Sequence, residues 1–345
     1  MKPQSSVHRK RKAHHGRPQA RQRTRLGRYY VGDCETLLRG PLGRRLRGRV
    51  QLILTSPPYP LNRKKSYGNL TGNEYRRWFV GLAPLFSRLL RKDGSIVIEL
   101  GNAWIAGRPV QSLLHLKSLI QFVERKRANF RLCQQFICYN PTRLPSPAAW
   151  VTVRKDRVTD SFTHVWWIAK SDFPKADNRR VLRPYSSEMR QLLKRGTYNH
   201  GPRPSQHRIS KNGFLRDRGG SAAHNVFELD SLNGKSPRLP NAFRMPNTGS
   251  TNFFLDACRQ TGVTPHPARM PVGLASFFVR FLTEKHDLIL DPFAGSNTTG
   301  FAAEFAGRRW VAIENQRQYL GQSRIRFQDP TLKKQRLRRK RRVST

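Results

Sequence analysis

Two short stretches carry residue types and spacings that could act on a ligand. The first, Asp291-Pro292-Phe293-Ala294-Gly295-Ser296-Asn297-Thr298-Thr299-Gly300, follows the apolar run Leu288–Leu290. It reads as a strand, a small-residue turn and a helix start. Gly295 and Ser296 let a ligand approach the backbone closely, and Asn297 or Thr298 can cap the helix. A further strand, Trp310–Ile313, ends in Glu314. An acid at that tip is placed to accept both ribose hydroxyls of an adenosine ligand, each charge-assisted bond contributing about 1.5–3 kcal/mol. No lysine follows the glycines, and Asn297 stands where a dinucleotide fingerprint needs glycine, so neither a phosphate loop nor a dinucleotide site is complete. Asp291 would repel a pyrophosphate but suits an ammonium. S-adenosylmethionine carries both an ammonium and an adenosine.

The second stretch, Thr55-Ser56-Pro57-Pro58-Tyr59-Pro60, directly follows Val50–Leu54. Adjacent prolines fix φ and remove backbone donors, which leaves carbonyl oxygens facing outward as acceptors. With Ser56 Oγ and the Pro57 carbonyl accepting and Tyr59 offering a flat ring, the turn can hold a planar exocyclic amine. Serine-proline-proline also occurs in structural turns, and the stretch alone leaves both readings open. None of the four cysteines (Cys34, Cys133, Cys138, Cys258) follows a proline, the usual setting of a thiolate that attacks a pyrimidine ring carbon. No pair has C-x2-C spacing, so neither a metal site nor a disulfide framework is indicated.

Both turns need strands to hold them. Val50–Leu54, Ser95–Leu100, Gln135–Tyr139, His164–Ala169, Leu288–Leu290 and Trp310–Ile313 read as buried strands. Glu74–Leu90 and Val272–Leu282 carry apolar residues at helical spacing. Strands separated by helices predict an α/β fold with a doubly wound, largely parallel sheet. Residues 171–262 are rich in Asn, Gly, Ser, Pro and Arg. They read as an inserted module with long loops, in which Phe214, Phe227, Phe243, Phe253 and Phe254 favour packing of its own.

The chain has 66 Lys+Arg against 21 Asp+Glu, a net charge of +45. Residues 1–28 and 331–345 contain no acid and account for 18 of those charges, so the body is itself strongly basic. Like-charge ends without apolar periodicity are expected to be disordered arms; they admit two readings, electrostatic arms on DNA or nuclear import signals. A body this basic favours a polyanionic partner, nucleic acid above all. No apolar run reaches the roughly 18 residues of a spanning helix, and the N-terminus lacks the apolar stretch of a secretory signal. An intracellular, DNA-associated protein with no membrane partner is expected.

Together the two turns resemble the S-adenosylmethionine-dependent amino-group DNA methyltransferases, whose hallmark is Asp/Asn/Ser-Pro-Pro-Tyr/Phe. The catalytic turn precedes the cofactor turn, which is the circularly permuted beta-class order. The pattern is similar to the PvuII-type modification methylases, which methylate cytosine at N4. It spans roughly residues 29–328 and includes Gly32-Asp33, Leu61-Asn62-Arg63-Lys64-Lys65-Ser66-Tyr67-Gly68-Asn69, Asn140-Pro141 with Leu144-Pro145-Ser146-Pro147, and His266-Pro267-Ala268-Arg269.

The resemblance implies a Rossmann-like methyltransferase sheet. Its halves would be residues 29–170 (catalytic) and 263–328 (cofactor-binding), with 171–262 as an irregular target-recognition region and 1–28 and 329–345 as basic ends. Ser56, Pro57, Pro58 and Tyr59 would form the target-base pocket. Asp291, Phe293, Gly295, Ser296 and Thr298 would line the methionine end of S-adenosylmethionine, Glu314 would hold the ribose and Asp33 would face the adenine. His266, Pro267, Arg269 and Pro271 would open the helix beside the cofactor, and Arg63, Lys64 and Lys65 would touch DNA. The implied activity is site-specific methylation of a flipped cytosine in double-stranded DNA by a monomer, without a metal. Adenine-N6 methylation is the nearest alternative, since adenine presents the same kind of amine; the neutral Ser56 favours cytosine. Structured RNA as substrate, or a non-catalytic nucleic-acid binder on the same fold, are weaker readings.

Overall fold

The computed structural model describes residues 18–60, 70–230, 242–246, 253–332 and 334. In chain order the strands are β1 (Gln22–Arg23), β2 (Gly27–Val31), β3 (Val50–Thr55), β4 (Leu90–Gly101), β5 (Arg131–Tyr139) and β6 (Phe162–Ala169). There follow β7 (Gly201–Pro202), β8 (Arg208–Ile209), β9 (Val226–Leu229), β10 (Phe243–Met245), β11 (Leu288–Asp291) and β12 (Arg309–Glu314). Ten of them form one sheet in the order β1-β2-β12-β11-β3-β4-β6-β5-β9-β10, while β7 and β8 make a separate ribbon. From β2 to β4 neighbours run parallel. β6 is antiparallel to both β4 and β5, and β9 and β10 continue parallel to β5.

The apolar runs follow from burial on both faces, which removes polar alternation from the strands. Successive side chains still point to opposite sides. Ile53, Ile96, Ile98, Trp166 and Ile168 enter one core, whereas Leu52, Leu54, Val97, Val165 and Trp167 enter the other. The first core is roofed by helix Gly72–Leu89, whose Tyr75, Phe79, Leu82, Phe86 and Leu89 recur at helical spacing and are buried. Helix Val272–Leu282 covers the second with Leu274, Phe278 and Leu282.

The connections decide where a ligand can sit. β3 crosses through helix Gly72–Leu89 to β4 on one side, and β11 crosses through helix Thr298–Ala306 to β12 on the other. β3 and β11 are neighbours, so the strand order reverses between them. A crevice at the carboxyl ends of such a strand pair is where open α/β sheets bind ligands.

Two expectations need correction. The N-terminal segment is not an arm as far as residue 28, because β1 and β2 lie within it and β2 pairs with β12 from Gly27 to Val31. The charges that hid β2 point outward: Arg28 is exposed between buried Gly27 and Tyr29. Nor do residues 171–262 pack only among themselves. β9 and β10 extend the main sheet, and Phe227 and Phe243 pack against Phe277 at 4.9 Å between ring centroids. Phe254 joins a small cluster with Ile325, and Phe214 remains exposed beside Tyr198. The basic runs 9–12 and 338–342 lie outside the described residues.

Candidate active site

Thr55 ends β3 and Asp291 ends β11. The Thr55 hydroxyl donates to Asp291 Oδ1 at 2.7 Å across 236 positions of sequence. This bond ties the two turns together at the switch point. They share a cavity of about 200 Å3 that Ser56, Pro57, Pro58, Tyr59, Asp291, Phe293, Gly295, Ser296, Thr298, Glu314, Asp33, His266 and Arg269 all line. Pro267 does not border it and opens instead on an adjoining cavity. Arg63, Lys64 and Lys65 fall outside the described residues.

The glycine-bearing turn is held from every side. The Asp291 carboxylate accepts from Phe293 N (3.1 Å), and Ala294 N donates to the Ile313 carbonyl (2.9 Å). Gly295 has φ +48°, and a Cβ there would press on the His266 ring at 3.3 Å. Its amide donates to Glu314 Oε2 (2.8 Å) and its carbonyl accepts from the Tyr29 hydroxyl (2.9 Å). Asn297, not Thr298, caps the following helix, accepting from Gly300 N at 3.1 Å. The buried Arg326 donates to both the Ser296 carbonyl and Ser296 Oγ at 2.9 Å.

Burial tunes the acids. It pushes the Asp291 carboxyl up to about 6, against the opposing bonds from Thr299 and Thr55. Glu314 is raised for the same reason, opposed by backbone amides. Its two oxygens accept from Gly295 N and Gln316 N, both at 2.8 Å, and each retains lone-pair capacity for a hydroxyl. Asp33 caps helix Cys34–Arg39, and its Oδ1 accepts from Thr36 N and Thr36 Oγ1. Burial holds His266 down to about 4, so its imidazole is neutral at pH 7.

The acids Asp33, Asp291 and Glu314 and a wall made by Trp78 and Phe293 (ring centroids 5.5 Å apart) line one cavity and suit a ligand with an ammonium, an adenosine and an apolar middle. Trp78, Thr299, Tyr29 and Arg326 were not singled out from sequence. Thr299 stood within the turn already recognised, but nothing local marks the others.

The proline turn faces the same cavity. Ser56 Oγ lies 3.5 Å from the Tyr59 hydroxyl. The Tyr59 ring rests on Gly101 at the end of β4, where an added Cβ would come within 2.6 Å of it. Gly101→Ala is therefore expected to displace the ring and lower turnover by about 100-fold, the cost of a misplacement near 1 Å. Steady-state kinetics with saturating cofactor check this. Burial raises all four thiols, Cys133 to about 11, so none offers a thiolate at neutral pH. Among the described residues no His, Cys, Asp and Glu cluster could hold a metal ion, and no helix is long and apolar enough to cross a membrane.

A DNA methylase family model, N6_N4_Mtase, matches residues 50–324. The type II methyltransferase M.PvuII of Proteus hauseri is 37% identical over 316 residues, 91% of this chain and 87% of that protein. The solved structure of PvuII DNA methyltransferase (cytosine-N4-specific) superposes with a TM-score of 0.64 at 33% identity, covering 88% of this chain and 87% of that one. A shorter match, 42% identical over 66 residues, covers 19% of this chain and 24% of the type II methyltransferase M2.MboI of Moraxella bovis. With the family match extending across both turns and the strands that carry them, this chain belongs to the DNA methylase family.

Proposed function

We propose that this chain is a site-specific DNA methyltransferase that transfers the methyl group of S-adenosylmethionine to the exocyclic N4 amine of a cytosine flipped out of double-stranded DNA. The observation that carries this reading is the Thr55–Asp291 bond, which sets an amine-holding turn and an ammonium-holding turn on one cavity. The match to a cytosine-N4-specific enzyme over most of both chains supports the choice of base.

The amine of cytosine is a poor nucleophile because its lone pair is delocalised into the ring. Ser56 Oγ and the Pro57 carbonyl accept its two hydrogens and draw the nitrogen toward tetrahedral geometry. Tyr59 stacks on the ring, which offsets part of the few kcal/mol that flipping costs. Bound S-adenosylmethionine supplies an activated methyl group on a sulfonium. Asp291 holds the ammonium, Glu314 the ribose hydroxyls and Asp33 the adenine edge. Alignment of two reactants in this way can supply up to about 7–11 kcal/mol. The proton leaves the amine after transfer, so no strong general base is required.

Loops within 171–262 are the part we assign to reading the DNA sequence, and the basic excess of the body to phosphate contacts. We place the enzyme inside the cell, acting on its duplex as a monomer. Incubation of purified protein with methyl-tritiated S-adenosylmethionine and unmodified duplex DNA is expected to label the DNA; label absent from DNA would reject the proposal. Glu314→Ala is expected to weaken cofactor binding by about tenfold or more, the loss of at least one charge-assisted bond. Titration calorimetry reads this directly, and an unchanged Kd would remove Glu314 from the ribose site.

A further inference from the structure

A second cavity adjoins the first and shares Tyr59 in its lining. Ser56, Tyr59, Arg269 and Met270 border both, and the second is completed by Glu99, Asn140 and Arg143. Glu99 lies near the end of β4, is only 7% exposed, and does not line the first cavity. Thr163 of β6 donates to its Oε1 at 3.2 Å. Arg143 stands in the connection between β5 and β6, with one guanidinium nitrogen donating to the Phe162 carbonyl at 3.0 Å. Its charge reaches both Glu99 and Tyr59. Asn140 starts that connection in a tight turn, accepting from Thr142 N and Thr142 Oγ1.

We propose that this second cavity reads the ring edge of the flipped base, with the Glu99 carboxyl donating to cytosine N3 and Arg143 donating to cytosine O2, and that the pair selects cytosine over adenine. The inference rests on the reading that the Ser56 turn holds the amine. With Ser56 and the Pro57 carbonyl taking the two amine hydrogens, N3 and O2 are the acceptors left on that edge. An ionised carboxylate cannot donate to N3, but Glu99 is not an ordinary carboxylate. Burial pushes it up to about 7, opposed only in part by Thr163 and Arg143. The groups that face it from the packed elements are Tyr59, Cys138, Thr163 and Arg143. Arg143 is the cation whose charge reaches Glu99, Arg269 lines the same cavity, and the Tyr59 hydroxyl and Cys138 thiol are both raised and neutral.

Adenine presents an acceptor at N1 where cytosine has N3, so Glu99 alone serves either base. At the next position adenine has a C–H where cytosine has O2. Arg143 would then lose its partner, and a site built around a hydrogen bond rejects an analogue that lacks it. Glu99 and Arg143 are thus positioning and recognition groups beside the Ser56 turn.

The test uses wild type, Glu99→Ala, Glu99→Gln and Arg143→Ala with tritiated S-adenosylmethionine. The substrates are two duplexes that differ only in carrying cytosine or adenine at the position wild type methylates. Glu99→Ala should lose about 100-fold in kcat/KM on the cytosine duplex, within the range for a bond to a buried partner, while calorimetry shows cofactor binding intact. Glu99→Gln should recover to within about tenfold of wild type, because its amide N–H replaces the carboxyl hydroxyl as donor. With saturating cofactor, wild-type kcat/KM for DNA should fall as pH rises through about 7, where Glu99 ionises, and the Glu99→Gln profile should show no such fall. Arg143→Ala should narrow the cytosine preference by about tenfold or more. Full activity in Glu99→Ala, or Glu99→Gln as inactive as Glu99→Ala, overturns the role of Glu99. An unaltered base preference in Arg143→Ala overturns that of Arg143. A wild type that methylates no duplex overturns the methyltransferase reading itself, a result distinct from these.

Discussion

Tyr59→Ala is expected to lower turnover on duplex DNA by about 100-fold to 1,000-fold while cofactor binding is retained. Two losses combine. Base–aromatic stacking is worth about 1–3 kcal/mol, and the amine then loses its fixed place against the methyl donor, which costs about another 100-fold. The ring lines both cavities, and it lies on Gly101, where an added Cβ would come within 2.6 Å of it. Calorimetry with S-adenosylmethionine and single-turnover kinetics separate the two effects. Wild-type turnover in this variant would remove Tyr59 from the base pocket.

Asp291→Asn should act on the other ligand and in two directions. Cofactor affinity should fall by about 10- to 150-fold, the value of a hydrogen bond to a charged group. The free protein should become more resistant to unfolding at neutral pH, because an amide removes a buried carboxylate that costs stability when ionised. The sign follows from the raised carboxyl. The native group binds its proton up to about 6, above its ordinary value of 3.8. Its contribution to stability is full below that ordinary value and is lost as pH rises through about 6. Cofactor affinity runs the opposite way, since the ammonium prefers the ionised acid, and should weaken below about pH 6 in wild type but not in Asp291→Asn. Thermal unfolding of the free protein and calorimetry across that range check both halves. Equal affinity for cofactor in the two proteins would place its ammonium elsewhere.

The parts of the fold legible in sequence were those with a local cause. β3, β11 and β12 are largely buried on both faces, so each appears as a short, mainly apolar run. Helix Val272–Leu282 begins and ends where its apolar spacing does. β2 escaped because Arg25 and Arg28 surround its tyrosines with charge, and only the pairing with β12 shows that one face is interior. β9 and β10 escaped because strands of four and three residues have too little pattern to stand out among polar neighbours. At the site, the two turns were visible because proline fixes φ and glycine permits a positive φ whatever surrounds them. Trp78, Arg326 and Glu99 reach the first cavity, the Ser296 turn and the second cavity from distant elements, and one sequence does not record which distant residues meet.

Analysis of nucleosides by mass spectrometry bears most directly on the central claim. Unmodified duplex DNA would be incubated with the purified protein and S-adenosylmethionine, digested, and resolved into its methylated nucleosides. A cytosine held by Ser56 and the Pro57 carbonyl must yield N4-methyldeoxycytidine. Digests that contain only N6-methyldeoxyadenosine, or no methylated nucleoside at all, would contradict it.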